Sequence, residues 1–115
     1  FLCGFADGAD MLFASIVAEL KQSNEARRLL AAVPYPGRLR QLEQDPEAVR
    51  LMEACDSIGV HSRAYTPDCF HVRNRGMVEE AGRCIAVYDG RTNGGTLYTM
   101  SDAKDLGLEV RVIQY

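Results

Sequence analysis

The sequence predicts an α/β fold: a three-layer α/β/α arrangement on a mainly parallel sheet of about five strands, in a single domain over residues 1–115. Three observations carry this expectation. Five short β-rich runs alternate with stretches of helical periodicity. Each run is apolar enough to be buried, as the strands of parallel sheets are. The 115 residues, 47% hydrophobic and 25% charged, supply one core and contain no repeat, linker or low-complexity tract.

Taken in order, the strand candidates are Phe1 to Cys3, Leu29 to Val33, Ser57 to His61, Cys84 to Tyr88 and Glu109 to Ile113. The first helix, about Ala9 to Gln22, is apolar almost all round at its start (Met11, Leu12, Phe13, Ile16, Val17), the pattern of a helix packed deep in a domain. A second begins at Asp45-Pro46, an N-cap followed by proline at the first helical position, with Ala48, Met52 and Cys55 at helical spacing. A third starts in the same way at Thr66-Pro67 and runs to Gly82 as its C-cap. The fourth runs from about Thr96 to Leu106, closed by Gly107. Strands and helices in this rhythm imply right-handed crossovers and helices on both faces of the sheet. Ligands of open parallel sheets bind outside the carboxyl ends of the strands, so the turns leaving each strand are where chemistry is expected.

Composition narrows the function classes. Thirteen basic and sixteen acidic residues give a net charge of -3, which argues against a general nucleic-acid binder. The longest strongly apolar stretch, Met11 to Ala18, is far shorter than the roughly 20 residues of a membrane span. Cys3, Cys55, Cys69 and Cys84 show no CxxC spacing and no nearby histidine pair, so no metal site is expected and no cofactor motif is identified. Free cysteines in apolar segments fit a reducing, cytoplasmic setting. Phe1-Leu2-Cys3 reads as the tail of a strand, with further chain expected before it.

Two glycine-bearing turns leave strands on the ligand edge. In Gly4-Phe5-Ala6-Asp7-Gly8-Ala9-Asp10, Gly4 and Gly8 allow a tight turn and close backbone approach, and the helix N-terminus offers free N–H groups to an anion. Asp10 either belongs to that site or complements the helix dipole. In Asp89-Gly90-Arg91-Thr92-Asn93-Gly94-Gly95-Thr96, Gly94, Gly95 and Thr96 form a nest suited to a phosphate, with a plain connector capped by Thr96 as the alternative. Between them, Asn74 falls on the apolar stripe of Phe70, Met77 and Ala81, with Arg73 beside it. A ligand phosphate or base is one partner for this pair; a neighbouring loop for Asn74 and solvent for Arg73 are the other. Gly76 suggests close approach of another backbone. His61 and His71 have no partner at catalytic or metal spacing. Tyr35 and Tyr65 could stack on a base, although ordinary packing is the more frequent role. Arg38, Arg40, Glu43, Arg50 and Glu53 read as a solvated face.

These pieces, together with Val33-Pro34-Tyr35-Pro36-Gly37, Ala54-Cys55-Asp56, Arg73-Asn74-Arg75-Gly76-Met77-Val78, Ala86-Val87-Tyr88-Asp89-Gly90 and Asn93-Gly94-Gly95-Thr96-Leu97-Tyr98-Thr99, resemble the SLOG superfamily and most closely its YpsA-like branch. The resemblance implies a Rossmann-like fold and a sensor or regulatory module that binds a nucleotide or an ADP-ribose-like derivative through Gly4, Gly8, Asp10, Arg73, Asn74, Gly94, Gly95 and Thr96. Proteins of that family begin with a further strand and helix carrying a Gly-His-Arg-like motif, which the resemblance places before Phe1. The related LOG-type nucleoside-monophosphate phosphoribohydrolases carry glutamates just after the threonine, where this chain has Leu97, Tyr98, Thr99 and Met100. Without a carboxylate to stabilise an oxocarbenium charge, binding is favoured over N-glycosidic hydrolysis. The first turn also resembles that of DprA-type single-stranded-DNA binders. Arg73, Arg75, Arg83 and Arg91 are the only basic residues expected near the ligand edge, too few for a continuous basic groove. Apolar surface between helices could support a homodimer.

Overall fold

The computed structural model describes residues 1–115. The chain runs β1 (Leu2–Cys3), α1 (Ala9–Ser23), β2 (Leu30–Val33), α2 (Pro36–Glu43), α3 (Pro46–Glu53), β3 (Ser57–Val60), α4 (Cys69–Glu80), β4 (Arg83–Tyr88), α5 (Gly95–Asp105) and β5 (Glu109–Gln114). All five expected strands and four expected helices are present. Asp45 caps α3 by accepting the Glu47 N–H at 3.0 Å, with Pro46 as the first helical residue. Gly107, at φ 78°, ends α5 in the left-handed region. The third expected helix starts later than Thr66-Pro67. The Cys69 N–H donates to Thr66 O at 3.1 Å and the Thr66 hydroxyl to Asp68 at 2.7 Å, so these residues form a turn ahead of α4.

Helix α2 was not expected. Pro34-Tyr35-Pro36-Gly37 reads as a turn, and the helix that follows has only Leu39 and Leu42 as apolar residues. Leu42 is buried, and the Tyr35 ring occupies the space a side chain at Gly37 would need, 2.7 Å from a Cβ there. The proline thus starts the helix.

The strands are parallel, but the expected single sheet of about five strands is two sheets: β1-β2-β3 and β4-β5. The three-stranded sheet ends at β1, whose two residues offer no ladder of useful length to a further strand. β1 pairs through only Leu2 and Cys3 and then turns away at Phe5, whose φ of 51° is left-handed. Six-residue β4 instead finds a full six-residue ladder with β5. β2 is the covered strand: Ala31 and Val33 pack into a core with α1, α2 and α3, and Ala32 is buried on the opposite face, where α4 lies.

Burial of the remaining strands also departs from expectation, because little of the chain packs over their faces. All four residues of the edge strand β3 are exposed. α5 covers one face of β4 and β5, burying Ala86, while the other face leaves Ile85 50% and Ile113 52% exposed. Helix α1 is likewise half-exposed: Leu12, Ile16 and Leu20 form an uncovered stripe at helical spacing, and only Ala14 and Val17 are buried. The accessible surface is 7264 Å², against about 6,200 Å² for a typical folded monomer of this mass.

The core of eleven buried residues lies wholly between Cys3 and Met52. Lys21 fastens it by donating to Asp56 at 2.7 Å, and the same carboxylate accepts the Leu29 N–H at 2.9 Å, so one acid ties α1 to the start of β2 and β3. Leu51→Ala, at a fully buried position, is therefore expected to cost about 2–5 kcal/mol. Ile113→Thr on the uncovered face of β5 should stay within about 0.5 kcal/mol. Urea unfolding of the two variants checks the contrast.

Candidate functional site

The loop leaving β4 is shaped by its own charges. Arg91 Nε donates to both Asp89 oxygens, at 3.0 and 2.8 Å, and the Tyr88 hydroxyl donates to the Arg91 carbonyl. The Arg91 guanidinium holds the Asp89 carboxyl below its ordinary range. Gly90 at φ 88° and Gly94 at φ 115° make the turns that bring the chain to α5. A cleft of about 160 Å³ opens there, lined among others by Asp89, Asn93, Gly94, Gly95, Thr96 and Tyr115.

Gly94 is the N-cap of α5 and has no side chain to close the helix end. Thr96 is the second helical residue, not the cap. The first helical bond of this end runs from the Tyr98 N–H to Gly94 O at 3.2 Å, so the N–H groups of Gly95, Thr96 and Leu97 have no protein acceptor. All three residues line the cleft. Asn74 approaches Gly95 from α4, outside the walls of the cleft: its Nδ2 lies 3.7 Å from where a Gly95 Cβ would be and donates to no protein group.

Arg73 is 6% exposed and does not reach solvent. Its Nη1 donates to Gly4 O at 2.6 Å and to Ala32 O at 3.3 Å, and its Nε to Asn74 Oδ1 at 2.7 Å. Burial pushes its pKa down from the ordinary arginine value, and the charge of Asp10 opposes that shift. Gly4 is small because Arg73 needs the room: a Cβ there would stand 2.8 Å from Nη1. The Arg73-Asn74 pair thus joins the two glycine turns, Arg73 touching Gly4 and Asn74 facing Gly95.

Of the eight expected site residues only Gly94, Gly95 and Thr96 line the cleft; Gly4, Gly8, Asp10, Arg73 and Asn74 lie outside its walls. Gly8, at φ 84°, is the uncapped N-terminus of α1, with open space where its side chain would be. Asp10 accepts the Ala6 N–H at 3.1 Å and so braces the turn itself. Arg38 does the same from α2, donating to Phe5 O at 2.8 Å and to Asp7 at 3.3 Å, so it is no member of a solvated face. Nothing in the sequence links Arg38 to a turn some thirty residues earlier. The group pressed against Gly76 is the His61 ring, 2.7 Å from a Cβ built there, where a backbone was expected.

A second cavity, of about 460 Å³, lies at the carboxyl ends of β2 and β3 between Tyr35, Gly37, Arg40, Arg63 and Tyr65. Further along α4, Arg75 binds Asp102 at 3.1 Å and His71 stands 3.9 Å from the other Asp102 oxygen, which is buried without a hydrogen bond. No three His, Cys, Asp or Glu side chains converge as metal ligands, and no helix is long and apolar enough to cross a membrane. No protein-family model and no curated protein matches the chain.

Two measurements follow from this geometry. Arg73→Met leaves Gly4 O and Ala32 O without their donor and is expected to cost at least about 2 kcal/mol by denaturant titration. Burial also pushes the Cys3 thiol up to about 12 and the Cys55 thiol up to about 11. The folded chain therefore holds these protons more tightly than the unfolded chain, whose thiols titrate near 9. The resulting stability is complete below about pH 8.5 and lost as pH rises toward 11–12. Tm should fall across that window, and less steeply in Cys3→Ala.

Proposed function

We propose that the chain is a SLOG-type binding module that holds the phosphate of a nucleotide or nucleotide derivative, ADP-ribose-like in class, at the N-terminus of α5. One observation carries the reading: three unpartnered donors, the N–H groups of Gly95, Thr96 and Leu97, gather at one cleft, and the Asn74 amide stands free beside Gly95 just outside its walls. Donors in that number, on the positive end of a helix and with no acidic cap, suit an anion with several oxygens. A glycine at 95 keeps the approach open.

The cleft favours binding over hydrolysis. Its one carboxylate, Asp89, is engaged by Arg91 and so is not free to stabilise a developing oxocarbenium charge. Its one guanidinium is engaged in the same pair, which leaves no basic track for a DNA strand.

The test is Gly95→Asp. Gly95 has an ordinary φ, and its would-be Cβ meets only Asn74 Nδ2 at 3.7 Å, so Gly95→Ala should fold and serve as the control. Aspartate adds a negative charge opposite the ligand's own and is expected to weaken binding about tenfold or more. With AMP or ADP-ribose at about 100 times Kd, linkage adds about 2.7 kcal/mol to the parent, roughly 10–20 °C in Tm for a chain of this size. Equal ligand-induced shifts in Gly95→Asp and the parent would reduce the loop to a connector.

A further inference from the structure

The cavity at the ends of β2 and β3 has no part in the phosphate site, and its walls are unusual. Its two tyrosines, Tyr35 and Tyr65, meet edge to face with ring centroids 5.4 Å apart, and Phe70, outside the lining, meets Tyr35 in the same way at 6.2 Å. The cluster is not sealed: Tyr65 is 61% and Phe70 44% exposed. Arg40 and Arg63 stand on the rim without a side-chain hydrogen bond or an ion pair, as the exposed Arg28 and Arg111 do elsewhere, whereas Arg38, Arg50, Arg75, Arg83 and Arg91 all engage carboxylates. Two idle guanidinium groups beside open aromatic faces suit a planar, electron-rich ring. Each can stack on its face and donate to its ring nitrogens and carbonyl oxygens.

Size and position select the kind of ring. The cleft at Gly94 to Thr96, about 160 Å³, has room for a phosphate and little more. The aromatic cavity, about 460 Å³, falls within the roughly 300–1,000 Å³ of small-molecule sites. Phe70 and Asn74 are four residues apart on α4, hence on one face and about 6 Å along its axis. Phe70 touches the aromatic cluster and Asn74 faces Gly95.

We infer that the aromatic cavity is the base subsite of the same nucleotide, with Tyr65 and Tyr35 as its stacking platform and Arg63 and Arg40 as its rim donors. This rests on the phosphate reading above and adds where the base of that nucleotide sits, with the base supplying most of the selectivity. A sugar phosphate without a base then binds through the α5 end alone.

The experiment is isothermal titration calorimetry of the 115-residue chain with AMP and with ribose 5-phosphate. Parent, Tyr65→Ala, Arg63→Ala and Gly95→Asp are compared, each checked by urea unfolding. Tyr65 and Arg63 are exposed, so their loss leaves folding intact. The parent is expected to prefer AMP. Tyr65→Ala should lose roughly 5- to 150-fold in AMP affinity, with ribose 5-phosphate unchanged, and Gly95→Asp should lose both ligands. If Tyr65→Ala and Arg63→Ala bind AMP like the parent while Gly95→Asp does not, the base subsite is overturned and the phosphate site stands. AMP binding lost in Tyr65→Ala but kept in Gly95→Asp supports the base subsite and removes the phosphate from α5. A parent that binds neither compound at millimolar concentration overturns both.

Discussion

The buried Arg73 guanidinium is the constraint on which the arrangement depends. It reaches from α4 to the carbonyl of Gly4 after β1 and to that of Ala32 within β2, which places a helix from the second half of the chain against strands from the first. A cation this deep is tolerable because backbone carbonyls and the Asn74 side chain satisfy it, and Asp10 lends a partial counter-charge. Everything proposed for ligand binding hangs on the same helix turn: Phe70 before it, Asn74 beside it and Gly95 facing Asn74. Arg73 itself is bonded to protein groups, so its place in that proposal is to position Asn74.

Local signals made much of this fold legible. The Asp45-Pro46 start, the Gly107 stop and the alternation of β-rich and helical runs rest on capping and periodicity, which depend on neighbours in sequence. The two-sheet arrangement was not legible, because whether β1 is long enough to carry a second ladder on its free edge depends on where the chain turns, at Phe5, which no single segment reveals. Burial of β3, β4 and β5 was misjudged for a related reason: hydrophobic composition shows that a strand can be covered, not that anything covers it. Helix α2 hid behind two prolines and a glycine.

At the site, the glycine loop was readable because Gly94-Gly95-Thr96 before a helix is a local pattern. That Arg73 needs a partner is legible in the sequence, whereas the partners it takes, Gly4 O and Ala32 O, are not. A guanidinium beside an asparagine fits a phosphate as well as a carbonyl, and only the fold supplies Gly4 and Ala32. Arg38 and the pairing of Tyr35 with Tyr65 lay further out of reach. Each joins segments about thirty residues apart through side chains that, read singly, look like ordinary surface.

The uncovered face of β4 and β5 has a dynamic consequence. Eleven core residues sit between Cys3 and Met52, whereas β4, α5 and β5 together bury only Ala86, Met100 and Ala103. Cooperative opening is governed by apolar contacts, so the amide protons of β4 and β5 are expected to exchange through a sub-global unfolding that leaves β2 protected. The glycine loop belongs to that weaker unit, yet Asn74, anchored through Arg73 to the stronger one, faces it. A ligand bridging the two would join these separate openings into one.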